Sequence, residues 1–82
     1  MHTDTLRKRL ATLAHLLEFE MDGRYGNIDH YYLPDTRSHK YLLYFEGERT
    51  TEILVDSLDE AMTTPFLDGK SLAEAAEQLE IV

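Results

Sequence analysis

Along this 82-residue chain the apolar residues first recur at helical spacing, then alternate as in strands, then return to helical spacing. Leu6, Leu10, Leu13, Ala14, Leu17 and Met21 form one stripe, which predicts a helix over residues 3–21. Thr3 or Asp4 can cap its start, and Gly23 can end it in the left-handed conformation. Two features strain that assignment. Arg7, Lys8 and Arg9 sit near the positive end of such a helix and Glu18, Glu20 and Asp22 near its negative end, so both clusters oppose the macrodipole. Residues 17–22 also alternate with period two, so the alternative is a helix that stops near Leu17 and feeds an extra strand.

Residues 22–27, DGRYGN, carry turn chemistry. A first strand is expected over 28–33, followed by a polar loop at 34–38 that begins with Pro34. The densest run of aromatic and β-branched residues is 40–55, KYLLYFEGERTTEILV, which reads as a β-hairpin turning at Gly47. A four-residue loop over 46–49 sets Leu42 opposite Ile53 and Tyr44 opposite Thr51. It is preferred to a two-residue loop at Glu46-Gly47, which sets Leu42 against Thr51. Beyond Val55 the helical period returns. Ser57 to Glu60 and Ser71 to Glu74 are capping boxes, and Leu72, Ala75, Ala76 and Leu79 form the clearest helical stripe.

These elements predict one α+β domain spanning residues 1–82. An N-terminal helix and C-terminal helices pack on a three-stranded antiparallel β-meander, in the order α-β-β-β-α-α. The expected core is Leu6, Leu10, Leu13, Leu17, Leu43, Phe45, Ile53, Leu58, Phe66, Leu72, Ala76 and Leu79.

Charge narrows the function classes. The net charge is −8, and residues 42–82 hold ten acids against Arg49 and Lys70, while residues 1–41 balance. That distribution argues against direct binding of nucleic acid or an anionic membrane, both of which need clustered cations. The sequence has no cysteine and no apolar run of membrane-spanning length. A cytoplasmic protein is the expectation.

Motifs for chemistry are absent from the sequence. Residues 69–82 resemble the first helix of a bacterial helix-turn-helix, but Glu80 stands near the turn position, no recognition helix follows, and the surroundings are acidic. A packing helix is the expectation there. His15 and Glu18 share i, i+3 spacing without the further carboxylates a metal centre needs. His30 and His39 are expected to come close across the loop that joins their strands. No EF-hand order, nucleophile elbow or phosphate-binding glycine loop occurs. Neither an enzyme nor a cofactor site is expected.

The most suggestive signal is the crowding of Tyr25, Tyr31, Tyr32, Tyr41 and Tyr44 into the twenty residues 25–44. Strand alternation must place some of them on a face that helices do not cover, and tyrosine is favoured at interfaces. Tyr31, Tyr32, Tyr41, Tyr44, Glu46, Glu48 and Glu52 are therefore the expected partner surface of a non-catalytic protein–protein interaction module. An acidic nucleic-acid mimic that inhibits a DNA- or RNA-binding protein is the alternative, and a small hydrolase or ligand-binding domain comes third. Homodimerisation through an open sheet edge fits all three.

Overall fold

A computed structural model describes all 82 residues. Helix α1 spans Thr3–Ala11 and is followed by four antiparallel strands, β1 Leu16–Met21, β2 Arg24–Leu33, β3 Ser38–Glu46 and β4 Thr50–Val55. Helices α2 Leu58–Thr63 and α3 Leu72–Ala75 come next. A 3-10 turn, Ala76–Gln78, then leads into a short strand, β5 Leu79–Ile81. The sheet has five strands in the order β4-β3-β2-β1-β5, and every neighbouring pair is antiparallel. The expected three-stranded meander is corrected accordingly. It exists as β2–β3–β4, but β1 and β5 extend the sheet beyond it.

The N-terminal helix is short because its second half is worth more as a strand. As β1, Leu17, Phe19 and Met21 all point into the core, while Leu16, Glu18 and Glu20 face out. On a helix Phe19 would leave the Leu6–Leu10 stripe, and a large buried side chain would be lost. Shortening the helix also removes the electrostatic conflict. Lys8 and Arg9 now occupy its last turn, where cations favour the dipole. The start is capped by His2, whose Nδ1 accepts from Asp4 N at 3.2 Å, rather than by Thr3 or Asp4. Thr12 closes the other end by turning its hydroxyl back on the Lys8 and Arg9 carbonyls.

Only Asp22-Gly23 of the DGRYGN stretch is a turn. Both residues have positive φ, 53° and 76°, the combination of a two-residue type I′ hairpin. Met21 therefore pairs directly with Arg24, and β2 begins four residues earlier than expected. At the β3–β4 hairpin the loop is Gly47-Glu48-Arg49, three residues rather than four, with Leu43 opposite Ile53 and Tyr44 opposite Glu52. The expected register would have placed Glu52 opposite the buried Leu43. The observed one sets inward residues against inward residues. Asp68 clasps this turn from the far side of the chain. Its carboxylate accepts from Glu48 N at 3.0 Å and from Arg24 Nη1 at 3.2 Å.

The helical stripe after Ser71 is real but brief. Ser71 and Glu74 form both arms of the capping box. Leu72, Ala75 and Ala76 are buried, yet Leu79 reaches the core from a strand, because residues 79–81 pair with the otherwise open edge of β1. All the helices contribute to a single core on one side of the sheet. Most of the expected core residues are buried there, with Leu13, Ile53 and Leu58 packed at its border. Alternating strands add Phe19, Met21, Ile28, Tyr41 and Val55.

Candidate functional site: the uncovered face of the sheet

Strand alternation sends one set of side chains away from the helices, and register decides which of them become neighbours. Leu16, Asp29, Leu42 and Leu54 lie in one row across β1, β2, β3 and β4. Glu18, Asn27, Tyr44 and Glu52 form the next row, and Tyr31 pairs with Lys40 in the row on the other side. No helix covers this face, and Leu54 is 58% exposed. The surface holds no enclosed pocket, so three leucines interrupted by Asp29, with Glu18 and Glu52 in the neighbouring row, are its most distinctive feature.

The tyrosines on this face are latched to carboxylates. Tyr25 donates to Glu18 at 2.8 Å and accepts from Asn27 at 3.0 Å. Tyr31 donates to Asp29 at 2.9 Å, and Tyr44 donates to Glu46. The phenol pKa values of all three lie above the ordinary 10.0. For Tyr31 and Tyr44 the bond to the carboxylate is the main cause, followed by burial and nearby negative charge. For Tyr25 the Asn27 bond lowers the value, but Glu18 and burial together outweigh it. Each latch fixes an aromatic ring while leaving acidic oxygens at the surface. Lys40, the one basic residue among these rows, is engaged by Asp56. Asp29 Oδ1 is buried without a hydrogen-bond donor, with His15 Nδ1 3.5 Å away.

The residues expected to form the partner surface divide between two faces. Tyr31, Tyr44, Glu46 and Glu52 share the uncovered one, and Glu48 lies in the exposed loop beside it. Tyr41 does not belong to a surface. It points to the helix side and is only 5% exposed. Tyr32 also points to that side but is half exposed, near the end of β2. The uncovered face gains Tyr25, Leu16, Leu42 and Leu54, which the tyrosine count alone missed. The signal for Leu16 was the alternation of residues 17–22, read one residue further back.

No helix is long and apolar enough to cross a membrane. No family model, curated protein or solved structure matches the chain, so what can be said of its function rests on this surface.

Proposed function

We propose that this chain is a non-catalytic interaction module that presents the uncovered face of its sheet to a basic segment of a protein partner, in the cytoplasm. The observation that carries the proposal is the juxtaposition of exposed Leu16 and Leu54 and half-buried Leu42 with fixed tyrosines and an excess of acids. The leucines offer apolar area to bury, and the latched tyrosines offer area already ordered before binding. Glu18, Glu20, Glu46 and Glu52 face outward around them, so charge complementarity selects a basic partner.

The test is capture of partners by the immobilised domain and by three single variants. Leu54→Ser and Tyr44→Ser change the uncovered face, and Tyr32→Ser changes the opposite one. A partner held by the parent and by Tyr32→Ser, but lost by Leu54→Ser and Tyr44→Ser, supports the proposal. Retention by all three variants refutes it. Release of the partner by added DNA would support the nucleic-acid mimic in its place.

A further inference from the structure

On the helix side of the sheet, beyond the core, His30 and His39 bring two ring nitrogens together. His30 Nε2 lies 2.9 Å from His39 Nδ1, and the ring planes are within 11° of each other at a centroid distance of 5.1 Å. Rings that meet so closely through their nitrogens at that centroid distance are joined edge to edge by a hydrogen bond, not stacked face to face. The other nitrogen of His30 is also engaged. Its Nδ1 lies 2.5 Å from the Leu13 carbonyl oxygen. A carbonyl only accepts, so Nδ1 carries the proton, and the neutral ring has its lone pair on Nε2, aimed at His39. Tyr41 packs on the His30 ring at 4.9 Å and Tyr32 leans on His39 at 4.9 Å, so both imidazoles have aromatic walls.

We infer that His30 and His39 form a two-imidazole site for a late first-row divalent cation such as Zn(II), bound through His30 Nε2 and His39 Nδ1. Three features support it. Imidazole nitrogen is a preferred donor for these ions. A metal-ligating histidine ordinarily donates its second N–H to a carbonyl or carboxylate, which orients the ring and fixes its tautomer, and Leu13 already does this for His30. The spacing is also close to what a metal requires. Zinc–nitrogen bonds in a tetrahedral site leave the two nitrogens about 3.3 Å apart, a few tenths of an ångström wider than the hydrogen-bonded pair.

Binding requires one rearrangement. The two lone pairs must converge on a point beside the present N···N line. His39 is exposed and supplies that movement by pivoting, while anchored His30 stays. The His39 proton moves from Nδ1 to Nε2 through solvent, so the neutral pair binds without net proton release. No third His, Cys, Asp or Glu joins the two. Water fills the remaining positions, and the site is of modest affinity.

The test is a titration of the whole chain with Zn(II) alone, followed by ring-nitrogen NMR shifts and by calorimetry. One equivalent should bind, with His30 Nε2 and His39 Nδ1 shifting together while His2 and His15 change little. His39→Gln alters an exposed position, so it should fold normally and bind Zn(II) at least about tenfold more weakly. Added Zn(II) should raise the melting temperature of the parent and not of the variant. Undiminished binding by His39→Gln overturns the inference, as do shifts confined to His2 and His15, or rings of His30 and His39 that do not respond.

Discussion

Replacing Gly26 with alanine tests how tightly the aromatic centre of the core is packed. Gly26 lies on β2 opposite both Phe19 and Phe45, and a Cβ there would meet Phe19 Cζ at 2.5 Å, Phe19 Cε2 at 2.7 Å and the Tyr44 carbonyl oxygen at 2.9 Å. Ordinary carbon–carbon contact begins near about 3.5 Å, so the ring must give by about one ångström. It has little room to do so. Phe19 is fully buried, lies parallel to Phe45 at 6.4 Å and meets the edge of Phe66 at 6.5 Å, while the Tyr44 carbonyl is backbone within the same sheet. Overpacking of this kind costs about 1–3 kcal/mol. The alanine also restricts the unfolded chain, and because φ at Gly26 is not positive that contributes about 0.4–1 kcal/mol in favour of folding. With the midpoints of the two terms, about 2 and about 0.7 kcal/mol, the net expectation is a destabilisation of about 1.3 kcal/mol, or a fall in Tm of about 5–10 °C for a domain of this size. Urea unfolding measures the first and calorimetry the second. Phe19→Leu removes the colliding ring atoms, so the double variant should lose less stability than the two single changes added together. A neutral or stabilising Gly26→Ala, or strict additivity with Phe19→Leu, would falsify the packing account.

Two further outcomes follow from contacts already described. Asp68→Asn tolerates the positive φ of 51° at that position but weakens the carboxylate that joins Arg24 to Glu48 N. At this partly exposed site a loss of about 1 kcal/mol is expected, and hydrogen exchange should speed up first in the β3–β4 turn. If that turn exchanges as in the parent, the clasp is not what holds it. Raising the pH should also destabilise the protein. Tyr41, through burial, and Tyr31 and Tyr44, mainly through their carboxylate bonds, have folded-state pKa values above 10.0, as has Tyr25. A raised folded pKa gives stability that is complete below the unfolded value and is lost as pH climbs through the folded one. Urea midpoints should therefore hold up to about pH 9 and fall toward about pH 11. Tyr41→Phe should flatten that fall, and equal slopes in variant and parent would contradict the assignment to Tyr41.

The parts of the fold legible in the sequence are those fixed by neighbours in the chain. Gly47 marked the hairpin turn, Ser71 and Glu74 marked a helix start, and Leu43 and Phe45 marked the inward face of a strand. What escaped was decided by distant partners. Leu13, Leu17 and Met21 suit a helical stripe, while Leu17, Phe19 and Met21 suit a strand. Only the presence of β2 and β5 on either side makes the strand the better burial. Leu79–Ile81 is too short to signal a strand by itself and becomes one because β1 offers an edge. The same limit applied to the surface. Five tyrosines crowd this stretch, but Tyr41 shares the inward parity of Leu43 and Phe45, so alternation along β3 places it inside, while the hairpin register decides only which β4 residues lie beside the outward ones.

The pairing of β5 with β1 joins residues near opposite ends of the chain, and this bears on how the protein folds during synthesis. The β2–β3–β4 meander is made of local contacts and can form as soon as it leaves the ribosome. The edge of β1 stays open until residues 79–81 arrive, since Phe19 pairs with Ile81 and Met21 with Leu79. Such long-range closure is slow compared with hairpin formation, and an open edge in that interval invites pairing with another nascent chain. Glu18 and Glu20 on β1 place negative charge along that edge during the wait. Those outward acids guard the unfinished sheet until β5 closes it.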